Sequence, residues 1–179
     1  MSEIKLKVDL GCGESKREGF IGVDIAPLPG VDIVHDLAIT PWPLEADTVE
    51  EVFCSHYLEH VHDLMKFFNE LYRVMRVGGK ASFVVPYGDN VRAWQDPTHV
   101  RPIYEASFLY YDENWMRANK LRHYPIHCNF ERISTGYSMM PAWADRSKEA
   151  QEFALNCYNN VASDMFVTIV KRERLAIPG

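Results

Sequence analysis

The chain is predicted to fold as an α/β protein, a doubly wound and mostly parallel sheet in a single domain. Three observations predict it. Short apolar runs alternate with connecting segments through the first half of the chain. The first run empties into a Gly-x-Gly turn, Lys7-Val8-Asp9-Leu10-Gly11-Cys12-Gly13. One segment, Asp63 to Arg76, repeats apolar residues at helical spacing. Parallel neighbours need a crossover between them, so alternation of strand and connection points to a parallel sheet.

The elements follow in order. Ile4 to Leu10 is the first expected strand, ending at the glycines. Phe20 to Ile25 is the second, closed by Pro27-Leu28-Pro29-Gly30. Val31 to His35 is the third, followed by Asp36, after which Pro41-Trp42-Pro43 breaks the chain. Val49 to Cys54 is the fourth, and Ser55-His56-Tyr57-Leu58-Glu59-His60 turns into a helix. In that helix Leu64, Phe67, Phe68, Leu71, Val74 and Met75 share a face. Arg73 and Arg76 suit its carboxyl end, and Gly78-Gly79 is expected to cap it. Ala81 to Val85 is the fifth strand, stopped by Pro86. Asn129 to Tyr137 and Met165 to Val170 are the last two. A helix from Arg146 to Tyr158, capped by Asp145, separates them, with Ala150, Phe153, Ala154 and Cys157 on one face.

Between them, residues 87–127 gather aromatics, including Trp94, Tyr104, Phe108, Tyr110, Tyr111 and Trp115. This stretch is expected to be an acceptor-pocket or lid insertion within a single domain spanning 1–179.

Bulk properties narrow the class. The net charge of −6 argues against a surface that coats nucleic acid, which needs a basic face. Two local basic clusters remain, Arg117, Lys120, Arg122 and His123, and Lys171, Arg172 and Arg174. The four cysteines, Cys12, Cys54, Cys128 and Cys157, form no CxxC pair, so no zinc knuckle or disulfide framework is indicated. That pattern fits a reduced, cytoplasmic setting. The first residues hold no apolar signal segment, and no apolar run approaches the ~18 residues of a membrane span.

The glycine turn and Asp24 point to a nucleoside ligand. Glycines let backbone approach a ligand, and an acid at the end of the next strand can accept hydrogen bonds from a ribose diol. A dinucleotide site requires a third glycine, and its acid about 20 residues on. Here Lys16 stands at the third position, and Asp24 comes only 11 residues after Gly13. No room remains for a full crossover helix, and Glu14 would face a phosphate. S-adenosylmethionine, a nucleoside without phosphate, fits this short turn better than a nicotinamide dinucleotide.

With these residues in place, the chain resembles a class I S-adenosylmethionine-dependent methyltransferase over most of its length. Asp9-Leu10-Gly11-Cys12-Gly13 resembles the family's first motif, and Asp24 its ribose-binding acid. His35-Asp36-Leu37 resembles the adenine-side motif. Ser55 to His60 resembles the segment after the fourth strand, and Arg76-Val77-Gly78-Gly79-Lys80 the turn into the fifth. The resemblance implies seven strands, with the last inserted antiparallel between the fifth and sixth. It also implies a cofactor site of Asp9, Gly11, Cys12, Gly13, Asp24, Ile25, Asp36, Leu37, Ser55 and His56. One departure is marked. The spacings around Asp24 leave the first two crossover helices vestigial, so one sheet face lacks its usual cover. Residues 87–125, a partner subunit as in a homodimer, or both are expected to supply it.

The expected activity is methyl transfer to a small-molecule or glycan-type acceptor. His99 is the expected base and Asp96 its orienter, in the loop after the fifth strand. Tyr87 and Trp94 are candidate walls of the acceptor pocket. A nucleic-acid methyltransferase and a catalytically silent cofactor-binding module are the rival readings. His56-x-x-Glu59-His60 also fits an H-x-x-E-H zinc pattern, to which Asp96 or His99 could add a ligand. The family's helix start explains the same residues together with the glycines and Asp24, so no metal is expected.

Overall fold

The structure is a computed structural model and describes residues 5–176. Ile4, expected at the start of the first strand, lies outside the described residues. The strands are β1 (Leu6–Leu10), β2 (Ile21–Asp24), β3 (Ile33–Val34), β4 (Val49–Ser55), β5 (Met75–Pro86), β6 (Phe130–Met139) and β7 (Ala162–Lys171). They form one seven-stranded sheet in the order β3-β2-β1-β4-β5-β7-β6. The first five pair in parallel, and β7 pairs antiparallel with both β5 and β6. The expected seven strands, with the last inserted antiparallel, are therefore present.

The helices are α1 (Leu64–Val74), α2 (Arg92–Gln95), α3 (Glu113–Ala118), α4 (Pro141–Ala144) and α5 (Lys148–Cys157). Among the described residues no helix lies between Gly13 and Asp36. The expected loss of the first two crossover helices is complete.

α1 forms where the periodicity placed it. Asp63 caps it by accepting a hydrogen bond from the Lys66 N–H. Its buried face carries Leu64, Phe67, Phe68, Leu71 and Val74. Phe68 is the hub of the core. Its ring stacks on Tyr111 at 3.8 Å and meets Phe83, Phe108 and Phe130 edge-on or tilted. Glu70 on the same helix accepts from the Trp42 N–H and from the Arg73 guanidinium, and Arg73 in turn donates to the Trp42 and Leu44 carbonyls. The loop between β3 and β4 is thus pinned beside α1 without needing a helix of its own.

Three local expectations are corrected. The helix ends at Val74 and β5 begins at Met75, so Gly78-Gly79 is not its cap. A Cβ on Gly79 would stand 2.9–3.1 Å from the carbonyls of Arg76, Glu50 and Val49. The glycine is there so that β5 can press against β4 while its register slips between Met75 and Lys80. The last helix is capped by Ser147, whose hydroxyl accepts from the Ala150 N–H, rather than by Asp145. Of its expected apolar face only Ala154 is buried, and Phe153 is 60% exposed.

The third correction concerns the sheet faces. Residues 103–116 bury Ile103, Phe108, Tyr111 and Met116, and Phe108 and Tyr111 do so beneath Phe68, on the face α1 already covers. They do not cover the face that lost its helices. That face instead mixes polar and apolar residues along the strands, with Phe53, Val84, Phe166 and Val170 among them and Phe166 43% exposed. Lys7 pairs with Glu51 at 2.6 Å, Lys80 lies next in the same row, and the Ser82 hydroxyl meets that of Thr168 at 3.2 Å. Parallel sheets ordinarily bury both faces. This one buries Val8, Leu10, Val52, Cys54, Ala81, Phe83 and Val85 on one side only. Over one corner of the other side lies the turn-rich segment 14–20. The Arg17 guanidinium stands 4.6 Å over the Phe53 ring and 5.4 Å over Phe20.

Candidate functional site

β1 and β4 are neighbours whose outgoing connections run to opposite sides, so the carboxyl end of β1 is the switch point of the sheet, where open α/β folds bind ligands. The glycine turn occupies that end. Gly11 has φ +68, and its N–H donates to the Val23 carbonyl at 2.8 Å. A Cβ there would fall 2.6 Å from the Tyr57 ring, so Gly11 exists to let Tyr57 pack against backbone. Gly13 has φ +51, and a Cβ there would meet nothing within 4 Å. Its N–H donates to Asp24 Oδ2 at 2.9 Å, while Asp24 Oδ1 accepts from the Ala26 N–H at 3.0 Å. Each carboxylate oxygen keeps a further lone pair for a ligand. Ile25, next in the chain, is 65% exposed, an apolar side chain presented beside the acid. An open space beside Gly13, an acid with spare acceptor capacity and an exposed apolar neighbour together fit a nucleoside.

The other expected cofactor residues are placed less uniformly. Asp9 is buried and accepts from the Arg17 N–H at 2.7 Å, with burial pushing its carboxyl up. It anchors the 14–20 segment. Cys12 is buried between β1 and β2, and burial together with Asp9 and Asp24 raises its thiol. Asp36 holds the Ala38 N–H in a tight turn, and Leu37 is in the core with its carbonyl accepting from the Trp42 indole N–H. Ser55 ends β4 opposite Val84.

His56 takes the left-handed conformation, φ 52, which a non-glycine residue adopts at a cost. The bend brings its Nδ1 to 3.3 Å from Glu59 Oε1 and its Nε2 to 3.7 Å from Asp164 Oδ1. Glu59 holds the imidazolium of His56 above the ordinary histidine range. Arg92 reaches the same Asp164 at 3.3 Å. Asp164 was missed in the sequence because β7 was expected to start at Met165. The strand starts at Ala162, which puts Asp164 opposite Pro86 at the carboxyl edge of β5.

Beside this group a cleft of about 510 Å³ is lined by Tyr87, Asp89, Tyr104, Glu105, Tyr137 and Glu152, among others. Burial beside Asp89 pushes the Tyr87 hydroxyl up to about 12. Tyr104 donates to Asp89 and Tyr137 to Glu105, each at 2.8 Å. α5 forms one wall, because the insertion between β6 and β7 leaves the sheet at the same edge as β5. Tyr87 is thus in the cleft lining, whereas Trp94 is 65% exposed and is absent from it.

His99 and Asp96 are not hydrogen-bonded. His99 Nε2 is 3.9 Å from Asp96 Oδ2, beyond hydrogen-bond range. The Asp96 carboxylate is taken by the Thr98 hydroxyl and N–H, which also hold it below the usual carboxylate range. His99 is oriented by the Ala93 carbonyl, 3.1 Å from its Nδ1, and its ring meets His60 edge-on at 4.8 Å.

Comparison with known proteins agrees with this geometry. A methyltransferase-domain family matches residues 8–83. No curated protein sequence matches the chain. Among solved structures, a SAM-dependent methyltransferase from Archaeoglobus fulgidus superposes with a TM-score of 0.66 at 18% identity, over 94% of this chain and 87% of that one. Geranyl diphosphate C-methyltransferase from Streptomyces coelicolor, solved with S-adenosyl-L-homocysteine, gives 0.57 at 14%, over 94% and 72%. A SAM-dependent methyltransferase from Mesorhizobium loti gives 0.55 at 15%, over 96% and 94%. With this strand order and with residues 8–83 matching a methyltransferase domain, the chain has the Rossmann-like fold of the class I S-adenosylmethionine-dependent methyltransferases.

Proposed function

We propose that this protein methylates a hydroxyl of a small-molecule or glycan-type acceptor seated in the tyrosine- and acid-lined cleft. S-adenosylmethionine, when bound, supplies an electrophilic methyl group on a sulfonium. The chain's own groups do the rest. The Asp24 carboxylate accepts hydrogen bonds from the ribose, backbone at Gly13 admits the ligand closely, and Ile25 offers apolar contact. The cleft offers stacking surface and carboxylates for hydroxyl groups, which is how polyhydroxylated ligands are held. Its volume of about 510 Å³ lies within the usual range for small-molecule sites. His56, with its side chain 41% exposed and its ring between Glu59 and Asp164, is the histidine that faces this edge. His99, expected as the base, is turned toward His60.

The observation that carries this reading is the Gly13 N–H on Asp24 at the switch point. Streptomyces coelicolor geranyl diphosphate C-methyltransferase supports the acceptor class by analogy, since its structure holds a small-molecule substrate. The basic clusters support it by subtraction. Lys171 is buried against Asp47, Arg172 pairs with Asp112, and Arg174 and Arg117 both pair with Glu113. Four of the six Lys and Arg residues of the two clusters are thus neutralised, leaving Lys120 and Arg122 for a phosphate backbone.

Calorimetry with S-adenosylhomocysteine and with NAD tests the cofactor half, and formation of S-adenosylhomocysteine over a panel of sugars and phenols tests the acceptor half. Asp24→Asn is expected to weaken S-adenosylhomocysteine about 10-fold or more, in the range of one or two hydrogen bonds to a charged group. Binding of NAD alone would overturn the reading. Turnover on RNA but on none of the small acceptors would overturn the acceptor assignment.

A further inference from the structure

Glu59, His60 and His99 meet at a point the methyl-transfer reading does not use. A carboxylate oxygen of Glu59 and one ring nitrogen from each histidine lie within 4.8 Å of one another. Glu59 is 2% exposed, and neither of its carboxylate oxygens has a hydrogen-bond partner. His56 Nδ1 approaches one of them at 3.3 Å, off the line of a hydrogen bond. His56 offsets part of the desolvation penalty of this buried carboxylate, and a metal ion would relieve the rest.

The histidines are set as metal ligands are set. A carbonyl can only accept, so the ring nitrogen facing one carries the proton. His99 Nδ1 faces the Ala93 carbonyl at 3.1 Å. His60 Nδ1 faces the Thr98 carbonyl at 3.3 Å and the Thr98 hydroxyl at 3.0 Å. That hydroxyl gives its own proton to Asp96 at 2.6 Å, so it accepts from His60. Both imidazoles therefore hold their proton on Nδ1 and present a lone pair on Nε2. Metal-bound histidines are typically fixed in this way by a partner on the other ring nitrogen. The loops are clamped as well. Val100 N–H donates to the Glu59 carbonyl at 2.8 Å, and Arg101 donates to the His62 carbonyl at 2.6 Å.

We propose that Glu59, His60 and His99 bind one divalent transition-metal ion, beside the carboxyl end of β4. Two imidazoles and a carboxylate select zinc, manganese or iron(II) over magnesium and calcium, and three protein ligands leave coordination positions open. Ligand atoms on one ion sit about 2.0–2.2 Å from it. Around a tetrahedral ion such atoms stand about 3.4 Å apart, so a pair at 4.8 Å closes by about 1.4 Å, shared between the Glu59 carboxylate and the rings. The partners that orient the two rings lie about 40 positions from Glu59 and His60 in the chain, so the sequence pattern alone does not show the lone-pair directions.

The test is metal binding itself, independent of turnover. Protein produced without a histidine tag and stripped with chelator is titrated with cobalt(II), read by its visible absorption bands, then challenged with zinc. One equivalent of cobalt is expected, displaced by one of zinc. His60→Ala and His99→Ala should each weaken cobalt at least 10-fold, Glu59→Gln similarly, and His62→Ala not at all. S-adenosylhomocysteine binding to each variant reports that it is folded, and His99→Ala serves if the Glu59 variant is not. Absorption no greater than that of cobalt in buffer would overturn the proposal. So would equal binding by wild type, His60→Ala and His99→Ala.

Discussion

Gly11 and Gly13 share a motif and a left-handed backbone, yet they should fail in different ways when changed to alanine. The backbone cost is common to both. A left-handed L residue costs roughly 1–2 kcal/mol. Loss of glycine's freedom in the unfolded chain returns about 0.4–1 kcal/mol. The net is about 1 kcal/mol at either position. Gly11→Ala adds a collision. Its Cβ would lie 2.6, 2.8 and 2.9 Å from Cδ2, Cγ and Cβ of Tyr57. Because Cβ is among the three, the ring cannot simply rotate away. Tyr57 is also held against Phe67, with ring centroids 6.0 Å apart. Overpacking of this kind costs roughly 1–3 kcal/mol, so Gly11→Ala should lose about 2–4 kcal/mol in all. Gly13→Ala meets no atom within 4 Å and should lose only the backbone term. Its methyl group enters the space assigned to the cofactor, so its penalty should appear in binding, at 10-fold or more. Urea denaturation and calorimetric titration with S-adenosylhomocysteine separate the two quantities. If Gly13→Ala binds as wild type does, the ligand does not approach Gly13 and the site is misassigned. If the two variants are equally stable, Tyr57 does not pack as described.

Other perturbations follow the same logic. Phe68→Ala should destabilise by about 3–5 kcal/mol, seen as a lower urea midpoint, because five aromatic neighbours lose their common contact. Glu70→Gln should cost about 1.5–3 kcal/mol at neutral pH and flatten the acid limb of stability against pH. Burial alone would raise the Glu70 carboxyl, but Arg73 and the Trp42 N–H outweigh it and hold it below the ordinary range. A carboxyl lowered in the folded state stabilises fully above its unfolded pKa of about 4.3, and that stability is lost as pH falls through the lower folded value. A variant titration as steep as wild type between pH 5 and 3 would contradict this. Glu105→Gln should raise the acceptor KM several-fold and leave S-adenosylhomocysteine affinity unchanged, since Glu105 lines the cleft but not the glycine turn. Replacing Lys80, Ser82 and Thr168 together by valine should leave the fold intact and drive self-association in sedimentation experiments, by creating an apolar patch on the open face.

Much of the fold was legible because its cues are local. The count from Gly13 to Asp24 excluded a crossover helix without any knowledge of contacts. The spacing of Leu64, Phe67, Phe68 and Leu71 placed α1 and its buried side. What stayed hidden depended on partners distant in sequence. Gly78-Gly79 has the appearance of a helix cap, and only the backbone of β4 pressing on Gly79 shows otherwise. The aromatics of residues 87–125 announced burial but not the face they would choose. Asp96 and His99 stand at an inviting spacing, yet Thr98 between them takes the carboxylate. Asp24 was legible as an acid at a strand end. Asp164, equally exposed to the site, sits in a strand whose first residues, Ala-Ser-Asp, carry no apolar alternation.

The missing first helix also bears on how freely the glycine turn can open. In this protein the glycine turn runs into segment 14–20, which is held by the Arg17 N–H on Asp9 and by Lys16 on Asp32. Two side-chain latches, one of them at the surface, replace a helix packed along its whole length. The turn can therefore open by releasing a short strap, with no rearrangement of the core. The expected signature is faster amide hydrogen exchange in residues 14–20 than in β1, read on the unliganded protein.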